Sequence, residues 1–257
     1  MRLFPLRSIL RRVGTAPNIL LLAGSAEARL IAQAVQARSL NLHALVSEPP
    51  RGPDPMPVTF ELMDFGGTDD LLPRLAGVDA VVDASHGFDA QMTRIGHAAA
   101  QQAGLPFVTL RRKRWSLDES PLWSAAPDVR AAMDLIAPHE QVFSAAGWAS
   151  LPECAGFRGA RLFLRQTTQH DRNPPYPFVQ LVFGQAPFTA ASEMALFQDM
   201  RIDVLLCRNL GGIPSRPKLD AALALGLRVI LIDPPAVPEG VETLSDVAQV
   251  LAWIDAL

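Results

Sequence analysis

VVDASHGFDAQMTRIGHAAAQQAGLPFVTLRRKRW, residues 81–115, decides the fold class. An apolar run of strand type opens it, a short polar turn follows, and an amphipathic helix leads to a second apolar run. Met92, Ile95, Ala99 and Ala103 share one helical face, and Gly104 ahead of Pro106 stops the helix. Strand, helix and strand within about thirty residues make the repeating unit of a parallel sheet. Open sheets of that kind bind ligands outside the carboxyl ends of their strands. Asp83, Ser85 and His86 stand at one such end, and Arg111, Arg112, Lys113 and Arg114 follow the next. Two polar clusters at two strand ends point to a cleft for an anionic ligand.

The same alternation extends in both directions. Residues 18–23, 42–47, 58–63 and 78–83 read as strands, with helices from Ala28 to Val35 and over 69–75. Beyond the quoted stretch, residues 121–127 read as a linker or a helix entry. Strands are then predicted over 141–145, 161–167, 179–183, 203–207 and 229–233, and helices over 191–200, 217–225 and 245–256. Two series of about 110 residues each imply two doubly wound lobes with right-handed crossovers. The expected domains are an N-terminal extension over 1–17, a first lobe over 18–120 and a second over 121–257.

Bulk properties narrow the function. The chain has 257 residues, 49% of them hydrophobic, which excludes a disordered chain. A net charge of −3 does not favour nucleic acid as a partner. Cys154 and Cys207 form neither a disulfide framework nor a zinc pattern, and a cytoplasmic setting is expected. No apolar run reaches the roughly 20 residues of a membrane span, so no membrane partner is expected. The five histidines (His43, His86, His97, His139 and His170) are scattered, so no metal site is expected. The basic leader carries Arg2, Arg7, Arg11 and Arg12 and reads as an extension ahead of the first strand.

Three strand exits carry candidate chemistry. Gly24 and Ser25 form a strand-to-helix turn suited to an anion, although one glycine falls short of a dinucleotide fingerprint. Glu27 either complements the helix dipole there or meets the ligand. Ser85 and His86 follow the quoted strand without the motif of a hydrolase nucleophile, and Ser85 or Asp89 could serve as the helix cap. Arg208, Asn209, Gly211, Gly212 and Lys218 surround the exit of VLLC; paired glycines allow close backbone approach, and the cations suit a phosphate or carboxylate. A glycosyltransferase would want an acidic metal-binding DxD at a strand end, and the sequence has none.

These segments together resemble the precorrin-6A reductase family of cobalamin biosynthesis. ILLLAGSAEAR at 19–29 resembles the family's ILLLGGTxEAR, and VDASHGFDA at 82–90 resembles VDATHPFA. LRRKRW at 110–115 corresponds to LxRPxW, which places the family arginine on Arg112. DVLLCRNLGGIPSRPKL at 203–219 matches DxLVTKNSGGxxxxxKL. The resemblance implies two Rossmann-like lobes with parallel sheets, able to exchange an element, embracing a carboxylate-rich tetrapyrrole-derived macrocycle. It implies reduction of one carbon–carbon double bond by NADPH, in the company of neighbouring pathway enzymes. Substrate contacts are then expected at Gly24, Ser25, Ser85, His86 and Arg112. NADPH contacts are expected at Gly147, Arg208, Asn209, Gly211, Gly212 and Lys218, with Arg208 and Lys218 reading the 2′-phosphate. No residue is assigned as catalytic.

Several positions depart from the pattern. Family TTGR is Ala145-Ala146-Gly147-Trp148, ARGPF is Gly184-Gln185-Ala186-Pro187-Phe188, and the lysine and serine of KNSGG are Arg208 and Leu210. An active enzyme with rearranged cofactor contacts, weakened use of NADPH, and a non-catalytic tetrapyrrole-binding protein all accommodate these changes.

Overall fold

β1, Asn18–Ala23, lies in the middle of its sheet, and its alternate residues show why the run is unbroken. Ile19, Leu21 and Ala23 join one apolar cluster while Leu20 and Leu22 join another on the opposite face. A strand buried on both sides has no polar face to keep. Full burial of each aliphatic side chain contributes about 1.5–3 kcal/mol.

In the computed structural model, which describes residues 16–38, 40–49 and 56–257, β1 leads to α1 (Ala26–Ala37), β2 (Asn41–Val46) and β3 (Phe60–Leu62). The expected N-terminal extension lies outside the described residues except at its end. Then come α2 (Thr68–Leu71) with a 3-10 turn (Leu72–Leu75), β4 (Ala80–Ala84), α3 (Ala90–Ala103) and β5 (Phe107–Leu110). α3 lies close on β1 because Gly96 leaves room for the Leu22 side chain, and Gly104 closes the helix at φ 69°.

After the short 3-10 turn Leu117–Glu119, the second series comprises β6 (Trp123–Ala126), α4 (Val129–Met133) and β7 (Gln141–Ser144). A 3-10 helix (Trp148–Gly156), β8 (Arg161–Gln166), β9 (Val179–Phe183) and α5 (Ala190–Asp199) follow. The chain ends with β10 (Val204–Arg208), α6 (Pro217–Ala224), β11 (Arg228–Ile232), β12 (Glu242–Leu244) and α7 (Val247–Asp255).

Among the described residues every strand pairing within the two sheets is parallel. One sheet has the order β12-β5-β4-β1-β2-β3 and the other β6-β11-β10-β7-β8-β9. Counted from β1 and from β7, both follow the Rossmann order 3-2-1-4-5-6, with an exchanged strand in the sixth place. β6 follows β5 along the chain yet pairs with β11, while β12 follows β11 yet pairs with β5.

The exchange moves the domain bounds. One compact unit holds the described residues up to Arg111 together with Val237–Leu257; the other is Arg112–Ala236. The expected bounds of 18–120 and 121–257 differ because α7 packs on the first sheet, with Val250 and Ile254 buried beside Ile31 and Val35 of α1. The linker or helix entry expected over 121–127 is instead β6. Its sequence WSAA has little intrinsic strand preference, and pairing with β11 imposes the conformation.

Candidate functional site

In a sheet of this order the crevice opens where neighbouring connections leave in opposite directions, between the first and fourth strands. In the first unit that point lies between the ends of β1 and β4, which pair from Ile19↔Ala80 to Ala23↔Ala84. Gly24, Ser25, Ser85 and His86 are therefore brought together. Gly24 is required by the closeness of the two turns, since a Cβ there would stand 2.8 Å from the His86 nitrogen.

The hydrogen bonds of this turn run inward. The N–H groups of Gly24 and Ser25 both donate to the Ala84 carbonyl at 3.2 Å, and the Ser25 hydroxyl donates to the same oxygen at 2.8 Å. That hydroxyl also caps α1 by accepting from Ala28 N–H. Ser85 is buried, with its hydroxyl 3.3 Å from that of Thr93. His86 is half-buried, and its Nδ1 accepts the Phe88 N–H at 3.2 Å, which leaves its proton on Nε2. Asp89, not Ser85, caps α3.

Beneath the turn lies a charged hub whose extent the sequence does not reveal. Asp83 is fully buried. Its Oδ1 accepts the Ser85 N–H at 3.0 Å; its Oδ2 accepts the hydroxyls of Thr93 and Thr109 at 2.8 and 2.7 Å and the Arg111 guanidinium at 3.3 Å. Arg111 also donates to Thr93 and to the Leu110 carbonyl. The Asp83–Ser85 bond bends the chain off the end of β4 and so sets where His86 stands.

In the second unit the corresponding point lies between β7 and β10, which pair at Val204↔Val142 through Leu206↔Ser144. Gly147 follows β7 at φ 84°, a conformation that favours glycine, and starts the 3-10 helix without a side-chain cap. The guanidinium of Arg208, at the end of β10, lies 3.9 Å from where a Gly147 Cβ would be. Burial lowers the Arg208 pKa from its ordinary value, and Glu153 acts in the opposite sense. A glycine turn, an uncapped helix start and a desolvated guanidinium make this crevice suited to a phosphate.

Asn209, Gly211 and Gly212 are engaged with the basic segment that opens the unit. Asn209 Oδ1 accepts the Trp115 N–H at 2.9 Å, and its Nδ2 donates to the Trp115 carbonyl at 3.2 Å. Gly211, at φ 66°, lies so close to the Lys113 carbonyl that no side chain fits. Gly212, at φ 81°, faces Arg112, whose Nη1 would be 2.6 Å from an added Cβ. Arg112, expected with the first lobe's substrate residues, thus stands beside Gly212, expected with the cofactor. Lys218 is turned inward: its Nζ donates to the Ser215 carbonyl at 2.7 Å, and burial lowers its pKa against the pull of Cys207 and Glu193.

Among the described residues no group of three or more His, Cys, Asp or Glu side chains could hold a metal. Likewise, no helix is long and apolar enough to cross a membrane.

The precorrin-6x reductase profile, CbiJ/CobK, matches residues 18–255. The chain is 38% identical to the precorrin-6A reductase of Rhodococcus erythropolis, over 93% of this chain and 98% of that protein. It is 30% identical to the precorrin-6A reductase of Rhodobacter capsulatus, over 92% and 95% of the two chains. A solved structure of the precorrin-6A reductase CobK superposes with a TM-score of 0.82 at 28% identity, covering 93% of this chain and 97% of that one. With the family's profile and its named relatives matching over nearly the full length, and the fold superposing on a member's, the chain belongs to the precorrin-6x reductase family, CbiJ/CobK.

Proposed function

We propose that this chain reduces one carbon–carbon double bond of the precorrin-6A macrocycle in cobalamin biosynthesis, using NADPH. Membership of a reductase family implies a nicotinamide cofactor. The observation that carries its placement is the contrast between the two crevices. In the first unit the turn N–H groups are spent on Ala84, whereas in the second an uncapped helix start and Arg208 face one crevice. Gly147 and Arg208 would hold the pyrophosphate there. Asn209, Gly211 and Gly212 would fix the loop and the 112–115 segment beside it, and Lys218 would support the loop from below.

When bound, NADPH supplies the hydride, and the protein supplies orientation and electrostatics. Gly24, Ser25, Ser85 and His86 are assigned to the macrocycle: the first three shape the turn, and His86 stands beside it with Nδ1 engaged by the Phe88 N–H. Arg112 is assigned to a macrocycle carboxylate, for which a guanidinium fork is suited. A carrier that has lost its cofactor is not favoured, because relatives named as reductases match over nearly the whole chain. The buried thiols of Cys154 and Cys207 support a cytoplasmic setting, and enzymes acting before and after this step are the proposed neighbours.

The test is nucleotide binding followed by turnover. NADPH at 100 times its dissociation constant should stabilise the fold by about 2.7 kcal/mol. Arg208→Ala should weaken NADPH at least tenfold, in keeping with a charge-assisted bond of about 1.5–3 kcal/mol. An unchanged melting temperature in saturating NADPH, together with no NADPH oxidation in the presence of precorrin-6A, would sink the proposal.

A further inference from the structure

β8 lies next to β7 on the side away from β10, the second-strand position of a Rossmann sheet. In such sheets the end of that strand meets the adenosine ribose and decides between a 2′-hydroxyl and a 2′-phosphate. The residues leaving β8 here are QTTQHDR, 166–172.

The first cation at this end is already committed. Arg165 donates to both Glu193 oxygens, at 3.2 and 3.0 Å, and lies over the rings of Phe143 and Phe188, at 4.9 and 4.2 Å. Pair and rings together hold it in the core face of the sheet. Beyond it the chain builds a wall. Gln166 donates to the Arg165 carbonyl at 2.8 Å, and its Oε1 lies 3.2 Å from His170 Nε2. His170 Nδ1 accepts the Arg172 N–H at 3.2 Å, which leaves Nε2 to donate to Gln166.

His170 also stands edge-on to Trp148 (5.0 Å, 87°) and to Phe183 (5.4 Å, 76°). The Arg172 guanidinium lies 5.9 Å from the centre of the Trp148 ring, within cation–π range. Trp148 is the first residue after Gly147, so one indole joins the phosphate turn to the loop after β8.

We infer that Arg172, held over Trp148, is the specificity-determining residue that binds the 2′-phosphate of the cofactor's adenosine. The inference rests on the reading that the second unit holds the nucleotide, and it transfers the 2′-phosphate from Arg208 and Lys218 to the loop after β8. Lys218 is inward and bonded to Ser215, and Arg208 sits at the switch point, where a pyrophosphate belongs. Arg172 is exposed, and its planar fork suits a phosphate dianion. Trp148 stands where the family pattern has an arginine, so charge at this corner comes from the loop after β8.

Calorimetric titration of the full chain with adenosine 2′,5′-bisphosphate and with 5′-AMP separates the 2′-phosphate from the rest of the nucleotide. The wild type should prefer the bisphosphate at least tenfold. Arg172→Ala should abolish that preference while holding 5′-AMP affinity within twofold, and Arg172→Lys should restore part of it. Arg208→Ala should weaken both ligands equally. If Arg172→Ala retains the preference while Arg208→Ala weakens both ligands, the nucleotide site stands and the assignment of Arg172 falls. If neither substitution changes either affinity, both readings fall.

Discussion

Replacing Asp83 with Asn tests whether one buried carboxylate organises the ligand end of the first unit. The amide has the same shape but only one accepting oxygen. Oδ1 now receives the Ser85 N–H, and Oδ2 receives Thr93, Thr109 and Arg111. The hydroxyls can rotate away, but the Ser85 N–H and the Arg111 guanidinium cannot. Either orientation of the amide therefore sets an N–H against an N–H. An unsatisfied buried donor costs about 1–3 kcal/mol, and a buried ion pair that loses one partner about 3–5 kcal/mol. These costs overlap, and Arg111 keeps 16% side-chain exposure, so a total of about 3 kcal/mol is expected. At about 2–4 °C per kcal/mol, the transition of the first unit should fall by roughly 6–12 °C in scanning calorimetry. Thr109→Val, which removes one donor only, should cost about 1 kcal/mol. In a double-mutant cycle, Asp83→Asn and Arg111→Met should show a coupling of at least about 1 kcal/mol. A loss below 1 kcal/mol for Asp83→Asn with no coupling to Arg111 would refute the reasoning.

Two further outcomes follow from close packing in the second unit and from buried thiols. Gly211→Ala meets a backbone carbonyl at positive φ, so it should destabilise the second unit by at least about 3 kcal/mol in urea titration, while Gly212→Ala, which meets a flexible guanidinium, should cost less. Burial pushes the Cys154 and Cys207 thiols up to about 11, so native protein should label slowly with iodoacetamide at pH 7, at a rate that still rises about tenfold per pH unit at pH 9, and both thiols should react fast once urea unfolds the chain; rapid labelling of either in the native state at pH 7, or a rate that levels off below pH 9, would contradict this.

The parts legible in the sequence are those whose reason is local. NILLLA announces a strand buried on both faces, and Gly104 before Pro106 announces a helix end; both stand where expected. Most strands and helices of both series are also legible, because hydrophobic periodicity marks them, whereas α4 and the 3-10 helix over Trp148–Gly156 are too short or irregular to show it. β6 and β12 are not legible: WSAA and ETL are short, and each becomes a strand by pairing with a distant partner, β11 or β5. The candidate site divides in the same way. Gly24, His86, Gly147 and Arg208 are candidates that a sequence reading can name, because they stand at strand exits. The bond from Asn209 to Trp115 spans 94 residues, and the pairing of Arg165 with Glu193 spans 28, so neither leaves a local pattern. The wall at Trp148, His170 and Arg172 follows only once β8 is known to lie beside β7.

The exchange of β6 and β12 has a consequence for the order in which the protein can be made. A ribosome delivers β1 to β5 first, yet the open flank of β5 acquires its neighbour only when β12 emerges, after every strand of the second unit. Until then the Arg111 N–H has no Leu244 carbonyl to meet, and the apolar stripe of α1 awaits Val250 and Ile254. The second unit has no such wait, because its borrowed strand, β6, precedes the rest of it. Of the two lobes, the one begun first is therefore the one completed last, and the nascent chain carries an unpaired sheet flank while the whole second unit is made.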